Sequence, residues 1–306
     1  MDEPPVDRVG AQLHFTEGTV AYAGHFLHER RHPVHTHSFI EVVMVTGGEG
    51  VHVSLAGRRP LAVGDVILLR PGVWHGYEDC RRLDVYNCCF SSELLRHELA
   101  WAREDPLLNH LLWTGPYSLQ RRGMLTARLG PAAVAECAEP LDALDRLRFR
   151  PPGPYRSEII GRLIQFLARL ARLVDGDAGG ASAGHCHPMV VRAMRLLEAE
   201  PTHPWTLAEL AERLHLSRGY LVRRFKAETG LPPMAYLSRF RVERAAALLL
   251  HSDQSITQIA EAVGWPDANN FARRFRAHYG MSASAYRAKF SRTAVRLNSW
   301  VAEEAG

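Results

Sequence analysis

The sequence predicts a two-part protein: a small antiparallel β-barrel with flanking α-helices, then an all-α domain of two helix-turn-helix units joined by a helix. Three observations predict it. Short apolar runs punctuated by Gly and Pro fill residues 13 to about 90, the pattern of close-set antiparallel strands. From Ser92 onward the apolar residues recur at steps of three and four, the helical period. The last third carries one helix-turn-helix pattern twice, Leu207 to Phe225 and Ile256 to Phe275, with one extra residue in the second turn.

In the β region, Val42 to Val45 runs into a turn-like Thr46-Gly47-Gly48-Glu49-Gly50, and Val51 to Leu55 runs into Ala56-Gly57-Arg58. Leu61 to Asp65, Val66 to Leu69 and then Arg70-Pro71-Gly72 continue the alternation of strand and turn. Cys88 and Cys89 are adjacent; neighbours in a strand face opposite sides, so they are read as buried thiols and not as a redox pair.

Two helices follow. Residues 131–148 space Val134, Cys137, Leu141, Leu144 and Leu147 along one face. Tyr155 to Val174 has a wider stripe, from Ile159 through Leu163, Phe166 and Leu170. That stripe is expected to pack on its own barrel, to form a dimer seam, or to do both with different halves. Asp175 to Gly184 is rich in small residues without an apolar period and reads as a linker. The expected organisation is therefore 1–174 for the barrel domain, 175–187 for the linker, 188–292 for the helix-turn-helix domain and 293–306 for a tail.

In the first unit, Thr206 followed by Glu209 is a capping-box pattern, Ser217 suits the N-cap of the second helix, and Gly230 suits its end. Leu221 and Phe225 face inward, which turns Arg218, Gly219, Val222, Arg223 and Lys226 outward. In the second unit Gly264 sits in the tight turn, where a positive φ costs least, and Asp267 suits the N-cap. Phe271 and Phe275 face inward, leaving Ala268, Asn269, Ala272, Arg273 and Arg276 outside. A continuous helix from Pro233 to Leu250 would hold the two units at a fixed separation. Paired recognition helices of this kind enter successive major-groove segments about 34 Å apart, so the expected partner is double-stranded DNA.

Charge agrees. Net charge is +4, and residues from 186 onward carry 17 Lys and Arg against 11 Asp and Glu. A basic C-terminal part suits phosphate contacts. The chain has an acidic start with no apolar signal core, five cysteines without a CxxC pattern and no apolar run of membrane-spanning length. A reduced, cytoplasmic protein with no membrane partner is expected.

The stretch from about 188 to 290 resembles the AraC/XylS family of bacterial transcription regulators. The resemblance rests on Ala211, Glu212 and Ser217, on Arg223-Arg224-Phe225-Lys226, on Thr229-Gly230 and on Pro233 to Tyr236. It continues through Arg241 with Ala245, Ala246 and Leu249, then Ile259-Ala260-Glu261, Gly264-Trp265, Phe271 with Arg274-Phe275, Tyr279-Gly280 and Tyr286-Arg287. It implies base-contacting positions at Gly219, Val222 and Arg223 and at Asn269, Ala272 and Arg273. Arginine reads guanine bidentately and asparagine reads adenine. Arg224, Arg274 and Arg276 are read as solvated or phosphate-facing.

Pro33 to Glu41, with His35, His37 and Glu41, then Gly64-Asp65 and Pro71 to His75, resembles the two cupin motifs. In metal-binding cupins the matching His, His, Glu and His ligate one ion, which makes His35, His37, Glu41 and His75 the metal candidates. Glu29 and Asp79 depart from the pattern. Regulators that join such a barrel to this DNA module commonly use it for a small effector, so an effector pocket without metal or other cofactor is the preferred expectation. Residues 35–90 look most like barrels of sugar-responsive members. Arg30, His35, His37, Glu41, Trp74, His75 and Tyr86 are the effector-binding candidates.

The sequence thus predicts a non-enzymatic, ligand-responsive, sequence-specific DNA-binding regulator, a homodimer, with RNA polymerase as a further partner. The alternatives are a metal-dependent cupin enzyme fused to a DNA-binding domain and a constitutive regulator with a structural barrel.

Overall fold

The computed structural model describes residues 6–9, 12–15, 18–120, 122–177 and 187–291. The N-terminal part holds β1 (Val6–Val9), β2 (Gln12–Phe15), β3 (Ala21–His28), β4 (His32–His37), β5 (Ile40–Ser54), β6 (Gly57–Leu61), β7 (Asp65–Leu69), β8 (His75–Phe90) and β9 (Met124–Arg128). Its helices are α1 (Pro106–Asn109), α2 (Pro131–Leu147) and α3 (Pro152–Asp177).

The sheet is organised around its two longest strands. β5 and β8 pair antiparallel from Ile40↔Phe90 to Ser54↔His75. The other edge of β8 takes β3 along its second half and β4 along its first, with His35 opposite His75. β7 pairs with β5, and β9 with β7. Thr46 to Gly50, expected as a turn, is instead the middle of β5: register shifts between Val45, Gly47, Glu49 and Val51 absorb the glycines as bulges. One bent strand replaces a hairpin because both of its halves find the same partner, β8. Strand β9 lies beyond the region expected to be β.

Alternation along β5 sorts side chains to two buried faces. Val43 and Val45 cluster inward with Ile67, Leu69, Tyr77 and Val85. Val42 and Met44 point the other way, into a core shared with Cys137, Leu141 and Leu144 of α2 and Leu163, Phe166 and Leu170 of α3. The α3 stripe therefore packs within its own chain; a fully buried Leu or Phe of this kind contributes about 1.5–3 kcal/mol. Cys88 joins this outer core, whereas Cys89 lies on the opposite face with Tyr22 and Phe39. Helix α3 runs to Asp177, because its apolar period carries through Val174. Its last three residues were expected to be linker; 178–186, with Cys186, lie outside the described residues, as does the tail from 292.

The C-terminal part is helical: α4 (Pro188–Ala199), α5 (Leu207–Arg213), α6 (Arg218–Thr229), α7 (Pro233–His251), α8 (Ile256–Ala262), α9 (Ala268–Tyr279) and α10 (Ala283–Ser291). α5–α6 and α8–α9 are the two helix-turn-helix units, and α7 joins them. The capping differs in detail. Thr206 caps α5 by accepting from Glu209 N, but the Glu209 carboxylate turns to His203 at 2.8 Å and Arg213 at 3.2 Å. The full capping box occurs in the second unit, between Ser255 and Gln258.

The two units do not share one core. Leu210, Leu221, Phe225, Tyr236 and Leu237 belong to the same apolar cluster as the helices flanking the barrel. Ile259, Phe271, Phe275 and Tyr286 form a separate cluster, against which Val34 and Trp74 of the barrel pack.

Candidate DNA interface and a buried histidine centre

Each recognition helix begins at a side-chain cap and presents an open face. In α6, Ser217 Oγ accepts from Tyr220 N at 3.3 Å. Arg218, Gly219, Arg223 and Lys226 are exposed and Val222 is half-buried, while Leu221, Phe225 and Thr229 anchor the other side. In α9, Asp267 Oδ1 accepts from Asn269 N at 2.9 Å. Asn269, Ala272, Arg273 and Arg276 are exposed, opposite the buried Phe271, Phe275 and Tyr279. Both turns contain a left-handed residue, His215 at φ 55° in the first and Gly264 at φ 92° in the second; the non-glycine residue makes the first turn the more strained. Arg224 pairs with Glu228 of its own helix at 2.7 Å. Arg273 donates to Asn270 Oδ1 at 3.0 Å, which holds its guanidinium near the start of α9.

Sequence reasoning missed Tyr220. It lies in the first turn of α6 with 39% of its surface open. An aromatic beside Gly219, at a position the Leu221/Phe225 spacing puts outside, was the available signal.

In the barrel, β4, β5 and β8 bring His35, Glu41 and His75 together, all buried, with donor atoms within 4.8 Å of one another. His37 joins them from β4: its Nε2 is 3.3 Å from Glu41 Oε2, and His75 Nε2 is 3.1 Å from the same oxygen. Neither approach has hydrogen-bond alignment, and His37 Nε2, Glu41 Oε2 and both nitrogens of His75 have no hydrogen-bond partner among the described residues. The other ring nitrogens of the β4 pair are engaged. His35 Nδ1 lies 3.0 Å from Pro33 O and His37 Nδ1 2.7 Å from Phe39 O. A carbonyl only accepts, so Nδ1 carries the proton in both rings.

Burial pushes the His35 and His75 imidazoles below their ordinary range and keeps them neutral. Burial alone would raise Glu41, but the close His37 and His75 nitrogens outweigh it and hold the carboxyl well below the usual range. Two further histidines, absent from the expected set, complete the neighbourhood. His52 lies tilted against His75 with ring centroids 5.6 Å apart, its pKa lowered to about 3 by burial, and His32 stands edge-on to His35 at 4.9 Å. Each lies two or three residues from a turn, and only strand pairing across β5, β8 and β4 brings them in.

Three expected effector residues lie elsewhere. Tyr86 is buried on the opposite, helix-facing side of β8, with its hydroxyl 3.1 Å from Asp142 of α2. Strand parity decides this: Val85 points inward, so Tyr86 points out. Trp74 leaves the barrel to pack on the second helix-turn-helix unit. Arg30 is exposed.

Residues 19–130 match the AraC-like ligand binding domain and residues 210–289 a helix-turn-helix domain family. Over 258 residues the chain is 30% identical to the HTH-type transcriptional activator RhaR of Pectobacterium carotovorum subsp. carotovorum, spanning 84% of this chain and 87% of that one. The chain belongs to the AraC/XylS family of transcription regulators. The HTH-type transcriptional activator RhaS of the same organism is also 30% identical, over 259 residues, 83% of this chain and 87% of its own. ToxT from Vibrio cholerae shares the fold at TM-score 0.52 and 13% identity, over 89% of this chain and 100% of that one. This AraC/XylS regulator is thus a DNA-binding protein with an effector-binding domain. Among the described residues no helix is long and apolar enough to cross a membrane.

In this regulator, besides the apolar cluster shared by the first helix-turn-helix unit and the helices flanking the barrel, two groups of polar contacts join the halves among the described residues. One is a polar seam under α7. Arg103 Nη1 donates to Glu198 Oε1 at 2.9 Å, Tyr236 donates to the same carboxylate, and Tyr117 donates to Glu243, which Arg70 faces at 3.8 Å. A cleft of about 430 Å³ opens beside it, lined by arginines and glutamates of both halves. The other is at the histidine end of the barrel. Tyr286 OH donates to Gly72 O at 2.7 Å and lies 3.4 Å from Thr36 Oγ1, and Trp74 Nε1 donates to Tyr279 O at 3.4 Å. Gly72 has φ 81°, and a Cβ there would meet Tyr279 OH at 2.6 Å; only glycine allows this approach.

Proposed function

We propose that a small-molecule effector, a sugar or related metabolite, binds at the histidine end of the barrel and changes how the second helix-turn-helix unit docks there, and thereby how the protein engages its operator. One observation carries this reading: the barrel residues bonded to the DNA-reading half are interleaved with the histidine centre. Thr36 stands between His35 and His37, and Trp74 precedes His75. A ligand that moves β4 or the start of β8 therefore moves the contacts to Tyr286 and Tyr279. The effector acts only through a difference in affinity for the docked and undocked states.

Regulation rather than catalysis is the reading the family supports, with activation favoured by the names of the relatives. DNA contact is assigned to Arg218, Gly219, Val222, Arg223 and Lys226 on α6 and to Asn269, Ala272, Arg273 and Arg276 on α9, with Tyr220 added. A cytoplasmic homodimer that contacts RNA polymerase completes the proposal.

The test is operator binding by the full chain with and without a panel of monosaccharides and sugar acids. An effector that shifts operator affinity, and no longer does so in Thr36→Val or Trp74→Phe, supports the mechanism. Effectors that bind the protein yet never change operator affinity, footprint or transcription overturn it.

A further inference from the structure

The cleft of about 430 Å³ between the barrel half and α7 holds more positive charge than its own carboxylates balance. Arg70, Arg96 and Arg103 line it from the barrel half, and Arg239 and Arg244 from α7. Of the glutamates on its walls, Glu93 pairs with Arg96 at 3.3 Å and Glu198 takes Arg103. Only Glu243 is left for the other three arginines. Arg70 Nη2 stands 3.8 Å from it and Arg239 Nε 3.7 Å, both beyond hydrogen-bond length. Arg244 has no ion pair among the described residues, and burial followed by the nearby charge of Arg96 lowers its guanidinium.

The donors are underused as well. The Arg70 and Arg239 side chains are each only 10% exposed. Arg70 spends Nη1 on Leu112 O at 3.2 Å, and the Arg239 guanidinium sits over the Tyr117 ring at 3.2 Å. Arg70 Nε and Arg239 Nε and Nη1 have no hydrogen-bond partner among the described residues. Buried donors of charged groups normally end on an acceptor, and cations brought together out of bulk water repel unless an anion stands among them.

We propose that this cleft is a second ligand site, which takes a small anionic metabolite by its carboxylate or phosphate oxygens among Arg70, Arg239 and Arg244, with Arg96 at the open edge.

Guanidinium forks match the oxygens of both groups. Ser38 and Ser92 on the same walls suit further oxygens of the ligand. The volume is that of a small-metabolite pocket, larger than a lone ion needs. Because the arginines come from both halves, a bound anion ties Arg70 of the barrel half to Arg239 and Arg244 of α7. It therefore stabilises the docked arrangement in proportion to its preference for it. This goes beyond the effector at the histidine end: it gives the same docking a second, charge-selective input.

The experiment is calorimetric titration of the full chain with citrate, fructose bisphosphate and inorganic phosphate, at ionic strength held constant with NaCl. One saturable site per chain is expected for citrate or for fructose bisphosphate, and the tighter of the two assigns a carboxylate or a phosphate ligand. Arg244→Ala and Arg96→Ala, both changes at exposed residues, should weaken that binding, Arg244→Ala by about tenfold. Arg81→Ala, at an exposed arginine outside the cleft, should bind as the wild type does. The bound anion should also slow limited proteolysis between the halves in the wild type and not in Arg244→Ala. Absence of saturable binding by all three anions at millimolar concentration overturns the proposal. So does an affinity unchanged in both Arg244→Ala and Arg96→Ala, which would place the anion elsewhere, as on the DNA-reading face. Failure here would leave effector-controlled docking at the histidine end standing, because that is read through Thr36→Val and Trp74→Phe.

Discussion

Arg103 and Glu198 form a two-pronged ion pair across the boundary between the barrel domain and the DNA-reading domain, with side chains only 6% and 10% exposed. Burial alone would lower the arginine; the facing carboxylate raises it instead. Removing one partner leaves a buried charge uncompensated, at a cost of about 3–5 kcal/mol. Arg103→Ala and Glu198→Gln should therefore each weaken domain docking strongly, and the double variant should recover much of the loss. Denaturant unfolding of the three variants checks this through the coupling energy; simple additivity would remove the pair's role.

Gly72→Val should detach the second helix-turn-helix unit from the barrel while leaving both halves folded. The added carbons would strike Tyr279, and the positive φ disfavours a β-branched residue. Limited proteolysis should then cut faster between the halves, and operator binding should respond less to effector. Unchanged protease resistance would show that the contact at Tyr279 contributes little.

Arg223→Ala should cost about 1–3 kcal/mol on the cognate duplex and relax preference at one base pair. Lys226→Ala should weaken binding equally on cognate and scrambled duplexes and reduce the salt dependence. Binding titrations on both duplexes at two salt concentrations separate the roles. Equal losses for Arg223→Ala on both would make it a phosphate contact.

Asp65 ties three strands together: it accepts from Ala62 N at 2.9 Å, from Arg59 at 3.1 Å and from Arg128 at 2.8 Å. Burial would raise its pKa, but the Arg128 hydrogen bond, the Ala62 amide and Arg59 together lower it. A depressed carboxylate stabilises the fold fully above the unfolded value of ~3.9 and loses that contribution as pH falls through the lower folded value. Acid unfolding of the wild type should show this loss, and Asp65→Asn should flatten the stability profile below about pH 4 while lowering stability at neutral pH. Chemical denaturation across pH 2–7 measures it.

Much of the DNA-reading half was legible because its signals are local. Caps at Thr206, Ser217 and Asp267, the left-handed Gly264 and the apolar i, i+4 pairs Leu221/Phe225 and Phe271/Phe275 each act within one turn of helix. Inward and outward faces follow from those pairs without knowledge of the rest of the chain. The histidine centre was legible only in part. His35, His37, Glu41 and His75 stand in a recognisable motif, but His32 and His52 reach it through strand register, which no local pattern encodes.

The chain order alone determined that this DNA-binding protein carries two helix-turn-helix units and a histidine-bearing β domain before them, since periodicity and capping are properties of neighbouring residues. Only the tertiary structure decided that Tyr86 faces away from the centre, that Thr46 to Gly50 bends a strand instead of ending one, and that Trp74 serves the domain contact. Those outcomes depend on which strands pair and in what register, and a shift of one residue would turn every side chain to the other face.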